Sequence, residues 1–345
     1  MKTAVVICPG RGTYNASELG YLKRNFRDTA LLDTFDQERA RLGQTPLSAL
    51  DAAERFSLSK HTRGDNASGL IFAATYGDFA ALSDEIEVVA VTGNSMGWYS
   101  ALACAGAVTP QAGFHIANTM GTYMQEAMIG GQLLYPWVDE DWLAQPDLRA
   151  TLMQQMKEIN ARVDHDLTLS IDLGGMLVLA GNEAGLAAFE ASVPPSQARF
   201  PMRLGNHAGF HSAMQRPVSE RGRASLGPDL FGQPSLPMID GRGQIWWPGA
   251  TSQDALWNYT LGHQVVESYG FTQAIQTAAK EFAPDLFIIT GPGTTLGGAV
   301  AQSLILADWQ DMKNKHDFKR AQDTNPLLVS MGIEAQRGLV TERNT

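Results

Sequence analysis

The apolar positions along the chain fall into two kinds of run. Residues 3–8 form a short continuous apolar stretch closed by Pro9-Gly10-Arg11-Gly12. That is the pattern of a strand covered on both faces and ended by an obligatory turn. Helical stretches follow at 19–42, 47–57 and 67–82, the last placing Leu70, Ile71, Ala74, Phe79 and Leu82 near helical spacing. A β-branched run at 87–92 then leads into Gly93-Asn94-Ser95-Met96-Gly97 and an alanine-rich helix from Trp98. Strand, sharp turn and helix in that order predict a layer of parallel α/β structure.

The middle of the chain has a different rhythm. A strand at 132–138, a helix at 148–163, strands at 167–173 and 176–180, a helix at 183–192 and a strand at 199–204 give the order β-α-β-β-α-β. This order predicts a ferredoxin-like unit inserted into the larger α/β domain. The α/β pattern resumes with a helical region at 253–283, a strand at 285–290 and the turn Gly291-Pro292-Gly293. From about Ala307 the chain becomes polar, with Lys313, Lys315, Lys319 and Arg320 close together. The expected organisation is an α/β core at 1–130 and 205–306, a ferredoxin-like subdomain at 131–204, and a C-terminal extension at 307–345 lying on the surface.

Composition narrows the function classes. The 345 residues are 44% apolar and 18% charged, enough material for a core and unlike a disordered or fibrous chain. A formal net charge of −10 runs against a nucleic-acid binder or a protein held on an anionic membrane. Cys8 and Cys104 lack the number and spacing of a disulfide framework or zinc site, and read as small apolar residues in a reducing compartment. The apolar start is too short for a signal peptide or membrane span, so a cytoplasmic protein is expected. No metal site is expected: His207 and His211 are four apart, but Gly205 and Gly209 disfavour a helix there.

Chemistry concentrates at Ser95. Gly93-x-Ser95-x-Gly97 follows a strand and precedes a helix, which is the context a nucleophile elbow needs. Glycines flank the serine because the crowded turn excludes a Cβ, and the helix N-terminus favours developing negative charge. A serine N-cap in an ordinary βα turn is the plainer alternative. The stretch 291–298 lacks the Lys-Ser/Thr of a phosphate loop and the spacing of a dinucleotide site, so it reads as another strand-to-helix turn.

Five segments, in order, carry a family resemblance. Gly93-Asn94-Ser95-Met96-Gly97-Trp98-Tyr99-Ser100-Ala101-Leu102 resembles the G-H-S-L-G-E-Y-S-A-L segment of malonyl-CoA:acyl carrier protein transacylases. Cys8-Pro9-Gly10-Arg11-Gly12 is similar to the family's F-P-G-Q-G, and Met120-Gly121-Thr122-Tyr123-Met124-Gln125-Glu126-Ala127 to its R-G-x-x-M-Q-E-A. Gly209-Phe210-His211-Ser212 and Gly291-Pro292-Gly293 are similar to its A-F-H-S and late G-P-G. The resemblance implies acyl transfer through an ester on Ser95, with His211 as base and the backbone N–H groups of Arg11 and Met96 as oxyanion donors. It implies no cofactor beyond the phosphopantetheine thioester of coenzyme A or carrier protein that serves as substrate, in fatty acid or polyketide synthesis. Aligning Asp254-Ala255-Leu256 puts Tyr259 where the family has a histidine-orienting glutamine.

Departures from the family define the specificity question. Met120 occupies the position of the arginine that holds malonate's free carboxylate, Asn94 replaces a histidine, Trp98 a glutamate and Arg11 a glutamine. With Phe210 before the base leaving little room for an α-branch, Met120, Phe210, Asn94, Arg11 and Trp98 are the expected substrate-binding residues. The expectation is a small or linear monocarboxylic acyl group in preference to malonyl. Arg11 remains open: it either rescues an acidic acyl group or points outward. Alternatives are an editing-type acyl-thioester hydrolase on the same fold, an unrelated α/β-hydrolase using Ser95, a later Asp and His263, and a silent carrier-binding module. Docking of an acidic carrier needs local basic charge, for which Lys23, Arg24 and Arg27, or the lysines and arginine of the tail, are candidates.

Overall fold

A computed structural model describes residues 1–342 as two sheets packed with helices. The larger sheet is built from β1 (Lys2–Cys8), β2 (Ile86–Gly93), β7 (Met238–Ile239), β8 (Ile245–Trp246), β10 (Leu286–Ile289) and β11 (Leu328–Ser330). Its order is β11-β10-β1-β2-β7-β8, parallel except for the antiparallel edge pair β7–β8. The continuous apolar character of β1 follows from its central place: Val6 and Cys8 face a core with Phe72, Trp98 and Leu102, and Val5 and Ile7 one with Phe271, Ile275 and Phe287. Helices cover both faces, as a parallel sheet requires.

The second sheet holds β3 (Gly131–Pro136), β4 (Leu167–Leu173), β5 (Met176–Gly181) and β6 (Met202–Arg203), with the helices Pro146–Asn160 and Glu183–Ser192. With them the elements run β-α-β-β-α-β, the order of a ferredoxin-like unit. Its sheet order, β6-β3-β5-β4-β9, adds a strand from outside the insertion: β9 (Tyr269–Gly270) joins β4 in parallel and ties the subdomain to the core.

Two expectations need correcting. The extended helix at 253–283 is broken: α-helix Gln253–Asn258, a π-helical turn Tyr259–His263, a short helix Gln264–Val266, then β9 and the helix Phe271–Phe282. The segment from 307 is not a surface appendage. It supplies β11 to the main sheet, buries Leu328, Val329, Met331 and Val340, and sends Arg337 to a buried ion pair with Asp78 at 2.6 Å. Tyr21 Oη and the Gly291 N–H donate to the other Asp78 oxygen at 2.6 and 2.8 Å, so the last described helix locks onto the G-P-G turn.

Register brings the three glycine turns together. Cys8 pairs with Gly93 and Ile7 with Ile289, so the turns after β1, β2 and β10 emerge side by side at the carboxyl edge of the sheet. Ligand sites of open parallel sheets form at that edge.

Candidate active site

The turn after β2 holds Ser95 at φ 57°, in the left-handed region. A non-glycine residue held there is strained, and the surrounding contacts enforce it. A Cβ on Gly93 would lie 2.4 Å from Gly97 C, and one on Gly97 only 2.1 Å from Cys8 O. Gly10 is confined in the same way, since its Cβ would meet Asn94 O at 2.5 Å. The two turns thus press together with no side chain between them. Tyr269 Oη donates to Gly93 O at 2.6 Å and fastens the elbow from the β9 side.

Ser95 Oγ and His211 Nε2 are 2.7 Å apart. His211 Nδ1 is 2.7 Å from Gln264 O, and a carbonyl only accepts, so Nδ1 carries the proton and Nε2 presents a lone pair to the serine. Burial pushes the His211 imidazole down to about 4, partly opposed by the Gln264 carbonyl, so it stands neutral at pH 7. His211 itself has φ 54°, and Ser212 Oγ donates to Gly209 O at 2.6 Å, closing the loop that presents the base. Neither the Arg11 nor the Met96 N–H donates to another described residue, and both lie on the paired turns beside Ser95. Free N–H groups of this kind are what an oxyanion needs.

Gln264, not Tyr259, is the residue that orients His211. Its carbonyl holds His211, its Nε2 donates to Ser95 O at 2.9 Å, and its Oε1 accepts from Tyr99 Oη at 3.3 Å. Tyr259 instead accepts from the Gly241 N–H at 2.8 Å and packs edge-on against Trp98. Tyr259 opens the π-helical turn Tyr259–His263, and that turn carries the chain on to Gln264, whose carbonyl reaches His211. His263, the base of the alternative triad, stacks on Tyr259 at 5.7 Å and makes no bond to Ser95.

The expected substrate-binding residues divide. Trp98 is fully buried, its indole N–H donating to Thr260 Oγ1 at 2.9 Å and its ring edge-on to Tyr259. Met120 is also fully buried, in the same core cluster as Met96, with its sulfur against Gly222. Phe210 is buried beneath the Arg11 guanidinium, whose Cζ lies 5.4 Å from the ring centroid. Arg11 Nη2 donates to Thr62 O at 2.7 Å and Asn206 O at 2.8 Å, so this side chain bridges the core and the loop returning from the subdomain. Asn94 Oδ1 is buried with no partner among the described residues.

The candidate docking cations are partly committed elsewhere. In the tail, Lys313 pairs with Asp308 and Arg320 with Asp317, while Lys315 donates to Glu140 O. Arg24 donates to Leu19 O. Among the described residues there is no cluster of three potential metal ligands, and no helix is long and apolar enough to cross a membrane.

No protein-family model matches the chain. Among curated proteins it is 21% identical over 296 residues to the malonyl CoA-acyl carrier protein transacylase of Salmonella typhimurium, spanning 85% of this chain and 90% of the relative. The Escherichia coli K12 protein of the same name is 23% identical over 211 residues, 60% of this chain and 63% of its own. Among solved structures, the acyl-carrier-protein S-malonyltransferase of Burkholderia pseudomallei superposes with a TM-score of 0.74 at 21% identity, covering 98% of both chains. A malonyl-transacylase in complex with a type II PKS acyl-carrier protein gives 0.69 at 19% identity, covering 94% of this chain and all of that one.

Proposed function

Because the chain belongs to the malonyl CoA-acyl carrier protein transacylase family, we propose that it is an acyltransferase that moves acyl groups between thioesters through an ester on Ser95. The observation that carries this reading is the 2.7 Å approach of Ser95 Oγ to the lone pair of a neutral His211 whose other nitrogen is held by Gln264 O. In the first half-reaction the Ser95 proton passes to His211 Nε2 as Oγ attacks the thioester carbonyl. The negative oxygen that forms is met by the Arg11 and Met96 N–H groups, and the new imidazolium by the Gln264 carbonyl. The C–S bond then breaks and sulfur leaves as a thiol with the His211 proton. In the second half an acceptor thiol gives its proton to His211, sulfur attacks the ester, and Ser95 regains its hydrogen as the C–O bond breaks. A phosphopantetheine thiol of coenzyme A or of a carrier protein is the donor and acceptor class proposed.

The acyl group proposed is a small or linear monocarboxylic one. Support comes from the buried thioether of Met120 where the family places a guanidinium, and from the buried ring of Phe210 beside the base. Intact-mass measurement after exposure to a panel of acyl-coenzyme A thioesters tests the reading. Wild type gains one acyl mass and Ser95→Ala none. An acyl adduct on Ser95→Ala refutes the mechanism, and an adduct that decays in water as fast as with added thiol replaces the transferase by a thioester hydrolase.

A further inference from the structure

Tyr269 opens β9, the strand that joins the inserted subdomain, and pairs there with Ile171 of β4. It is fully buried in a tight place: a Cβ on Gly241 would lie 2.6 Å from Cδ2 and Cε2 of its ring. It belongs to none of the glycine-marked segments, yet it touches both the nucleophile turn and the base.

The hydroxyl acts on the turn. Tyr269 Oη donates to Gly93 O at 2.6 Å. Burial pushes this phenol well above its ordinary range, and the charges of Asp240, Cys8 and Tyr99 act in the same direction, so the hydrogen stays on oxygen. Gly93 O is one end of a peptide whose other end, the Asn94 N–H, donates to Cys8 O at 2.9 Å. The peptide that leads into Ser95 is therefore clamped at both ends. That clamp matters because Ser95 stands at φ 57°, a conformation its surroundings must enforce.

The ring acts on the base. Its centroid lies 5.3 Å from that of His211, with the planes inclined by 54°. A single hydrogen bond from Nδ1 to Gln264 O leaves an imidazole free to tilt about it, and a ring packed against its side removes that freedom. The same ring keeps water from the imidazole, which is 4% exposed as a residue. Gln264 and Tyr269 thus divide the work in parallel: each holds one carbonyl of the elbow, Ser95 O or Gly93 O, and each holds His211.

We propose that Tyr269 is a positioning residue of the reaction, its hydroxyl fixing the elbow peptide and its ring fixing the imidazole, so that one side chain sets the approach of Ser95 Oγ to His211 Nε2. The proposal rests on the acyltransferase reading and deepens it by naming a side chain that aligns the dyad without touching substrate.

The test uses two probes of Ser95, both followed by intact mass. Acetyl-coenzyme A reports the proposed reaction. Phenylmethylsulfonyl fluoride reports the activated serine alone: Oγ bonds to sulfur, fluoride leaves and the serine proton passes to His211. Tyr269→Phe keeps the ring and loses the donor, and slows both modifications by about 5- to 30-fold, the scale of one hydrogen bond. The KM for acetyl-coenzyme A stays within about twofold, since the phenol does not contact it. Tyr269→Leu loses the ring as well, and misplacement of the dyad slows both by about 100-fold. Water then reaches His211, so the acid limb of the rate profile climbs from about pH 4 towards 6.5 in Tyr269→Leu but not in Tyr269→Phe. A merely structural tyrosine moves neither that limb nor the ratio of kcat to KM. Should Tyr269→Leu fail to fold, Gly241→Ala drives its new Cβ against the ring and slows both modifications in its place. Wild-type rates in Tyr269→Phe, an acid limb unmoved in Tyr269→Leu, or wild-type rates in Gly241→Ala overturn the proposal. Wild type that is sulfonylated but takes no acyl group from thioesters overturns the acyltransferase reading instead, and wild type modified by neither probe overturns both.

Discussion

Met120→Arg tests the acyl preference directly. The wild-type thioether is fully buried with its sulfur against Gly222, so a longer, charged side chain both crowds the site and places a cation there. Overpacking of this kind costs about 1–3 kcal/mol, which a domain of ordinary stability survives. A carboxylate paired with the new guanidinium recovers interactions whose truncation typically costs about 2–5 kcal/mol. That range corresponds to roughly 30-fold to several thousand-fold in selectivity for malonyl over acetyl. Acetyl transfer weakens at the same time, because a neutral acyl group leaves the buried charge unpaired. Acylation rates with acetyl and malonyl thioesters, followed by intact mass, give the ratio. Met120→Leu serves as a control that keeps volume and adds no charge. Arg11→Ala is measured alongside, since its guanidinium lies over Phe210. A shift below about tenfold in Met120→Arg refutes the placement of Met120 at the acyl group. Efficient malonyl use by wild type that survives Arg11→Ala refutes the monocarboxylic preference outright.

Other expectations are simpler to read. His211 is pushed down from 6.5 to about 4, so the acylation rate should hold as the medium is acidified and fall only through about pH 4; a fall centred near 6.5 contradicts the burial argument. The same shift, with that of His207, makes the unfolded chain take up protons before the folded one, so stability should decline as pH drops below about 6.5, seen in denaturant midpoints. Gln264→Ala removes the bond to Ser95 O but not the carbonyl on His211, and should lower kcat by about 5- to 30-fold, the scale of one hydrogen bond. Tyr259→Phe should leave kcat unchanged while costing about 1 kcal/mol of stability through the lost Gly241 contact; equal kinetic losses in both variants would restore Tyr259 to the site. Asp78→Ala strands the buried Arg337 and should cost about 3–5 kcal/mol in urea unfolding; a loss under 1 kcal/mol contradicts the tail's structural role.

What the sequence made legible followed from local rules. The β-branched run into Gly93-x-Ser95-x-Gly97 signals strand, turn and helix because each depends only on neighbouring residues, and the β-α-β-β-α-β order needs only hydrophobic periodicity. Trp98 was harder because every residue of the helix Gly97–Cys104 is buried, leaving no polar face to indicate which side lines a cavity. The tail misled for the opposite reason. A helix at Lys315–Thr324 with one buried residue, Phe318, dominates its composition, while the three-residue strand Leu328–Ser330 is too short to show alternation.

Gln264 marks a deeper limit. The group that orients His211 is a main-chain carbonyl, which every residue carries, yet it belongs to a glutamine, the residue type the resemblance calls for, five positions beyond Tyr259. Its position depends on the π-helical turn at Tyr259–His263, a distortion that helical spacing cannot report. The same reasoning applies to the oxyanion donors proposed at Arg11 and Met96, where replacing the usual side chain leaves the N–H in place. Chemistry lodged in the backbone tolerates side-chain change, and that tolerance is what frees position 11 for a second task. Its main chain lies on the turn whose Gly10 packs against Ser95, while its guanidinium bridges Thr62 and Asn206 beside a neighbouring cavity. Catalytic geometry is thus held by turns and carbonyls, and the side chains around it remain available to set which substrate enters.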